Sequence, residues 1–289
     1  MDPVQRVIVQ ILTLNVAVAA AKAAYGWFSG SLSVASDAIH STLDAAANVI
    51  GIVFLRMAKA PPDREHPYGH HKIETLAAAF IGLLIAGGAV RFAVSAVEAL
   101  ARGREPPVAG AGGFAVMLGT LAVNIAVTRY EHRRGRELGS AFLVADAAHT
   151  LSDVFVTVGV IGALVASRLG VGAADPLVAL AVIAVIAHTA WRIVTANLSV
   201  LLDRAVVDPE RIRAAAMAVE GVAGCHRVRS RGVEGALLID CHIQVDGALP
   251  LRDAHALSHR VEASIRGALA GVADVTIHIE PEGDPEDPL

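Results

Sequence analysis

Long apolar stretches fill most of residues 1–207 and indicate helices that cross a membrane. Each stretch approaches or exceeds the length of about 20 residues that a helix needs to span a bilayer. Helices are the expected spanning elements, because lipid offers no partner for an unpaired backbone N–H or C=O group. The six predicted spans are Val7–Phe28, Ser33–Ala58, Lys72–Ala101, Gly112–Tyr130, Ala141–Leu169 and Pro176–Leu202.

The pattern changes after Asp208-Pro209 to that of a small α+β domain. Short amphipathic and alternating segments predict the order α-β-β-α-β, which fits a ferredoxin-like unit with its helices on one face of a sheet. The predicted elements are Glu210–Glu220, Gly224–Arg231, Ala236–Val245, Leu251–Leu269 and Val275–Glu280. We therefore expect a membrane domain over 1–207, a soluble domain over 208–283, and a disordered acidic tail over 284–289.

Composition and charge support this division. The chain is 54% hydrophobic and only 18% charged, whereas soluble domains carry about a quarter charged residues. Residues 1–207 hold 16 basic and 14 acidic side chains, and residues 208–289 hold 8 and 14, so an acidic tail follows a nearly neutral membrane part. No dense basic cluster predicts a nucleic-acid partner. The two cysteines, Cys225 and Cys241, are too few for a disulfide framework.

Basic residues in the short connections predict the orientation of the spans, since cytoplasmic loops carry an excess of Lys and Arg. The second and fourth connections hold most of them, at Arg56, Lys59, Arg64, Lys72, Arg129, Arg133, Arg134 and Arg136. Both chain termini are therefore expected in the cytoplasm.

One motif occurs twice inside the membrane part. The second predicted span has D-A-I-H-S-T-L-D from Asp37 to Asp44, and the fifth has D-A-A-H-T-L-S-D from Asp146 to Asp153. Residues four apart are stacked neighbours on a helix, so each helix presents a histidine and an aspartate on one face.

If these two helix faces lie opposite each other, they supply two imidazole nitrogens and two carboxylate oxygens, a tetrahedral ligand set suited to Zn2+. Ionisable groups inside a membrane are costly and tend to mark ion pathways. We therefore predict a metal site at His40, Asp44, His149 and Asp153. Asp37 and Asp146, one turn before each histidine, are predicted either to accept hydrogen bonds from the imidazole N–H groups or to solvate the helix ends.

These features make the chain resemble the cation diffusion facilitator family, specifically its bacterial zinc- and iron-type metal exporters, over nearly its whole length. The resemblance implies a six-helix proton-coupled exporter of divalent metal that forms a homodimer through a cytoplasmic ferredoxin-like domain. It also implies that the transport site is formed by the two histidines and two aspartates just described.

The resemblance further implies metal ligands outside the membrane. The segment D-R-E-H-P-Y-G-H-H-K matches the family's loop motif and places ligands at Asp63, His66 and His70. In the tail, the family's regulatory zinc cluster falls on His226, His242, His255, His278 and Glu280, the last replacing the usual aspartate. Lys72 and Asp203 match a salt-bridge pair that holds the dimer together where the membrane part meets the cytoplasm.

The sequence thus predicts a Zn2+/H+ antiporter that works by alternating access in the bacterial inner membrane, with Zn2+ as both cargo and regulatory ligand and no organic cofactor. Export of Fe2+, Cd2+, Co2+ or Mn2+ is the alternative within the same class, although two imidazoles argue against Mn2+. A membrane-anchored metal sensor or scaffold is the alternative from another class. An enzyme is not expected, because no H-E-x-x-H motif or open coordination position suggests catalysis.

Overall fold

The computed structural model describes residues 2–29, 32–102, 111–168 and 174–283. The chain forms two compact units, Met1–Leu198 and Ser199–Leu289. The predicted disordered end at 284–289 lies outside the described residues, as does part of the connection between the third and fourth helices.

The first unit is built from long helices. They are α1 (Pro3–Ser29), α2 (Leu32–Ala58), α3 (Lys72–Arg102), α4 (Ala111–Glu137), α5 (Ala141–Arg168) and α6 (Ala174–Leu201). Within the described residues, four segments are long and apolar enough to cross a membrane: Pro3–Phe28, Lys72–Glu98, Ala141–Gly159 and Ala179–Leu201. The apolar pattern of the sequence therefore corresponds to helices, although α4 continues well beyond the predicted end at Tyr130, to Glu137.

Small residues let these helices approach closely, as is usual between helices in a membrane. Gly51 of α2 faces the ring of Phe142 on α5, and a Cβ atom added at Gly51 would lie 2.1 Å from Phe142 Cζ. Phe142 is 1% exposed and belongs to a core that also contains Leu55 and Ile81. This contact joins α2 and α5, the two helices that carry the repeated motif.

The second unit is a three-stranded sheet with two helices. Its elements are α7 (Pro209–Met217), β1 (Gly224–Val233), β2 (Ala236–Val245), α8 (Leu251–Ala268) and β3 (Val272–Pro281), with strand order β1-β2-β3. Asp208 caps α7 by accepting a hydrogen bond from Glu210 N. Gly235 (φ 84°) lies in the tight turn that joins the antiparallel strands β1 and β2, where a left-handed conformation favours glycine.

Parallel pairing of β3 with β2 completes the sheet, and α8 provides the connection between them. Alternate residues of β2, including Cys241 and Ile243, join Leu257, Val261 and Ile265 of α8 in one buried cluster. Because side chains alternate across a strand, the intervening residues of β2 face away from α8. The predicted α-β-β-α-β order is observed.

Candidate functional site

The repeated motif brings three ligand atoms together between α2 and α5. His149 Nε2 lies 3.4 Å from Asp44 Oδ1, and Asp44, His149 and Asp153 each offer one ligand atom within 4.8 Å of the other two. His149 and Asp153 are four residues apart on α5 and therefore project from one face. The side chains of Asp37 and His40 lie outside the described part of the structure, which gives only their places on α2.

A cavity of about 130 Å3 contains this cluster. Its walls include polar residues that the sequence pattern did not single out, namely Asn15, Lys22, Ser41, Asn48, Thr120, Asn124 and Thr157. Lys22, on α1, donates a hydrogen bond from Nζ to Ser41 Oγ over 2.9 Å and is only 4% exposed. The cavity thus places carboxylates, an imidazole, amides and one amine around a space of suitable size for a partly hydrated cation.

Asp146 accepts a hydrogen bond from the side-chain amide of Asn48 and not from the imidazole of His149. Asn48 Nδ2 donates to Asp146 Oδ2 over 2.7 Å, and Asn48 Oδ1 accepts from Asn15 Nδ2 over 2.9 Å. Within the described residues, His149 Nδ1 is buried without a hydrogen-bond partner. The three side chains Asn15, Asn48 and Asp146 therefore connect α1, α2 and α5 beside the cluster.

The loop between α2 and α3 forms a second group of ligands. Asp63 Oδ1 lies 3.4 Å from His66 Nδ1, and Asp63 Oδ2 lies 3.4 Å from His70 Nε2. The backbone N–H groups of His66 and Glu65 donate to Asp63 Oδ1, and these bonds hold the pKa of the Asp63 carboxyl below its usual value. The carboxylate is therefore oriented and ionised, with two imidazoles beside it.

A row of three histidines crosses the sheet of the second unit. His226 of β1 pairs with His242 of β2, and His242 pairs with His278 of β3. A bulge between His226 and Arg229, with Arg227 at φ 47°, shifts the β1 register beside this row. Bulges of this kind re-aim side chains next to functional sites.

Glu280 completes the row from the same face of β3 as His278. Its Oε2 lies 2.9 Å from His226 Nε2, and its Oε1 lies 2.6 Å from His242 Nδ1. The hydrogen bond with His242, with the charges of the neighbouring imidazoles, keeps the pKa of the Glu280 carboxyl below its usual value. His278 is more peripheral, with its Nε2 atom 3.7 Å from Glu280 Oε1. Two imidazoles and a carboxylate that already converge match the ligands that Zn2+ takes in proteins.

Comparison with known proteins places both units in one family. The family described as "Cation efflux transmembrane domain" matches residues 8–202, and "Cation efflux protein, cytoplasmic domain" matches residues 207–282. The chain belongs to the cation diffusion facilitator family. It is therefore a cation efflux transporter, and members of this family transport and bind divalent metals.

Relatives of the chain come from distant organisms. "Cation-efflux pump FieF" of Klebsiella pneumoniae is 33% identical over 88% of this chain and 85% of its own length. "Metal tolerance protein C1" of Arabidopsis thaliana is 31% identical over 93% of this chain, which spans only 61% of that relative. Among solved structures, a variant of the MamM CTD matches at 30% identity, covering 25% of this chain and 90% of that one with a TM-score of 0.24.

Not every residue that the family resemblance suggests joins a cluster within one protomer. His255 lies exposed on α8, whereas the row at His226, His242 and Glu280 is on the sheet. Lys72 is the first residue of α3 and Asp203 follows α6, in different units of the chain, so that their pairing stays a prediction. Cys225 and Cys241 are free thiols buried in the core of the second unit, on the side of the sheet that faces α8.

Proposed function

We propose that this cation diffusion facilitator exports Zn2+ from the cytoplasm in exchange for protons, by alternating access of one site in its membrane domain. The observation that carries the proposal is the convergence of Asp44, His149 and Asp153 inside a cavity between helices. His40 would complete the set, since it stands one turn before Asp44 on α2.

The donor set supports zinc as the cargo. Two imidazoles and two carboxylates suit a small tetrahedral ion of intermediate softness, whereas Mn2+ prefers carboxylate, carbonyl and water oxygens. Fe2+, Co2+ and Cd2+ remain the competing cargoes of the same mechanism.

Protons would drive release because the same side chains bind either metal or protons. Imidazoles and carboxylates lose a metal ion when they become protonated, and histidine changes charge near neutral pH. A site that faces the more acidic side would therefore exchange its metal for protons. Return of the protonated site to the cytoplasm would complete the cycle.

The ligand groups outside the membrane would serve regulation. We infer that the row formed by His226, His242, His278 and Glu280 binds zinc in the cytoplasm and stabilises a homodimer of the second unit, since an ion that binds only the folded form stabilises it. The loop group at Asp63, His66 and His70 would hold a further ion beside the entrance to the membrane part. The chain would reside in the bacterial inner membrane with both termini inside.

Zinc uptake by sealed vesicles containing the purified chain tests this proposal. Uptake monitored with an internal fluorescent zinc probe should accelerate when an acidic interior is imposed, and competition with Fe2+, Co2+, Cd2+ and Mn2+ should show a preference for Zn2+. Asp44→Asn and Asp153→Asn should each reduce uptake to that of empty vesicles. Glu137→Gln, which changes an exposed carboxylate paired with Arg133 and Arg134, should leave uptake unchanged.

Two outcomes would overturn parts of this proposal separately. Normal uptake by both aspartate variants would remove the site assignment. Uptake that is indifferent to the pH gradient would remove the proton coupling while leaving metal export in place.

A further inference from the structure

One lysine lies inside the cavity of the membrane domain. Lys22 is on α1, seven residues before the end of that helix, and is only 4% exposed. Its Nζ atom donates to Ser41 Oγ of α2 over 2.9 Å. Long basic side chains near the ends of membrane helices extend to the membrane surface, whereas this one reaches the neighbouring helix. Its amine therefore belongs to the cavity.

Two hydrogen bonds join α1 to α2 on either side of Asp44. Asn15 donates to Asn48. Lys22 donates to Ser41, so the two bonds are seven residues apart on each helix and lie on one stripe. Asp44 is three residues after Ser41 and four before Asn48, and residues at these spacings are neighbours on a helix. The amine is therefore about one helical turn from the Asp44 carboxylate.

The charged side chains around the cavity are mainly acidic. Of the described residues that line it, Asp44, Asp146 and Asp153 carry carboxylates. Lys22 carries the only ammonium among those described lining residues. Charges interact strongly in a membrane interior, where the effective dielectric constant is low. The ammonium therefore offsets part of the repulsion among the carboxylates, and it also repels a metal cation that enters the cavity.

The ammonium and a metal ion thus interact with the same carboxylates. While the cavity holds no metal, the ammonium is a counter-charge that cannot leave, because it is attached to α1. Once a metal ion enters, the same charge weakens its binding. Passage of an ion through a membrane protein requires binding that is favourable enough for entry and weak enough for release. A fixed positive charge beside the ligands contributes to this balance.

We propose that Lys22 is the resident counter-ion of the transport site, which balances the carboxylates when the metal is absent and limits the affinity when the metal is present. This role rests on the proposed export of metal through the same site and adds a residue to it. A neutral side chain at this position should bind the metal more tightly. It should also slow the return of the metal-free site, because the carboxylates would then reorient without their counter-charge.

Zinc uptake by vesicles that contain Lys22→Gln tests this role, since glutamine can still donate to Ser41 but carries no charge. The zinc concentration that gives half-maximal uptake should fall at least about 10-fold, the smallest usual effect of a neighbouring charge on an ionic equilibrium. The maximal rate of net uptake should fall too. Exchange of labelled zinc, with zinc present on both sides, should fall less than net uptake, because exchange does not require the metal-free site to return.

Control variants separate the charge from the hydrogen bond. Ser41→Ala removes the acceptor and Lys22→Arg keeps the charge, so both should stay closer to the wild type than Lys22→Gln in zinc dependence and maximal rate. If the hydrogen bond alone mattered, Ser41→Ala would reproduce the changes expected of Lys22→Gln. Lys59→Gln makes the same substitution at a lysine that pairs with Asp2, and it should leave uptake unchanged.

Thermal melting of the metal-free chain in detergent, with a chelator present, tests the same charge without transport. Lys22→Gln should lower the melting temperature. Adding Asp44→Asn should raise it by more than Asp44→Asn does in the wild type, because the substitution removes a carboxylate that has lost its counter-charge. The same pair of measurements in Lys59→Gln should show no such difference.

The outcomes separate this role from the export function. Zinc uptake by the wild type with an unchanged half-maximal concentration in Lys22→Gln overturns the counter-ion, and so do additive melting effects of Lys22→Gln and Asp44→Asn. Absence of zinc uptake by the wild type overturns the export proposal instead, and the melting experiment then decides whether Lys22 balances the charge of Asp44.

Discussion

Asn48 links polar side chains of three helices in the membrane domain. It is 2% exposed, donates to the buried carboxylate of Asp146 and accepts from Asn15, so that one amide links α1, α2 and α5. A buried carboxylate that loses its donor keeps the full penalty of desolvation. The amide therefore contributes both to stability and to the position of α5, which carries His149 and Asp153.

Asn48→Ala should lower the free energy of unfolding of the detergent-solubilised chain by about 2 kcal/mol, within the usual range when a buried polar group loses a hydrogen-bond donor. Thermal melting monitored by circular dichroism measures the change. Asn197→Ala is the matched control, because Asn197 donates to the carbonyl of Ile193 within its own helix, α6. Equal melting temperatures for the two variants would contradict the role assigned to Asn48.

The repeated motif was sufficient to predict that Asp44, His149 and Asp153 approach one another, because the helical period places them on facing stripes. It was not sufficient to predict Asn48 or Lys22. Asn48 is four residues after Asp44, but the residue four after Asp153 is Thr157, so the repeat in the sequence ends at the aspartates. The amides of Asn15 and Asn48 and the amine of Lys22 form no recognisable pattern in the sequence. Only the packing of the helices brings them together around the cavity.

At the scale of the elements, apolar length predicted where helices exist better than where they end. The fourth span was expected over Gly112–Tyr130, but α4 continues to Glu137. Its last turns are polar and pair their own side chains, since Arg133 and Arg134 both contact Glu137. A helix outside the lipid needs no apolar surface, so hydrophobicity does not indicate its end. Strand β3 is likewise longer than expected, Val272–Pro281, because β2 pairs with it along that length.

Gly51 offers a test of how closely α2 and α5 must pack. Gly51→Ala should destabilise the chain by about 1–3 kcal/mol, since its Cβ atom would overlap the Phe142 ring in a filled core. Phe142→Leu in the same chain should recover part of that loss, and thermal melting of the four combinations measures the coupling. Gly119→Ala is the control, because an added Cβ there meets nothing within 4 Å. Additive effects of the Gly51 and Phe142 changes would contradict the proposed contact.

At the scale of the whole molecule, the change in net charge along the sequence marks the approximate boundary between the two units. The membrane unit is nearly neutral and the following unit is acidic, and the two family domains, 8–202 and 207–282, meet near residue 205. Assembly of two chains into a dimer cannot be predicted from the same features. A dimer depends on the complementarity of two surfaces, and neither the hydrophobic periodicity nor the spacing of metal ligands encodes it. The prediction of a homodimer therefore rests on the family resemblance and on the family of the second unit.

Reversing the charges at Lys72 and Asp203 tests the homodimer that the resemblance implies. Lys72 begins α3 and Asp203 follows α6. If the two side chains form a salt bridge that holds the dimer, Lys72→Asp and Asp203→Lys should each raise its dissociation constant about 5-fold, the effect of roughly 1 kcal/mol for a solvated ion pair. The combined variant should restore dimerisation, because it restores opposite charges at the two positions.

Energy transfer between labelled chains diluted in lipid measures the dissociation constant, and vesicle uptake measures transport in parallel. Lys59→Asp is the control, since Lys59 pairs with Asp2 of its own chain. A combined variant that dissociates as readily as the single ones would show that the two residues do not pair.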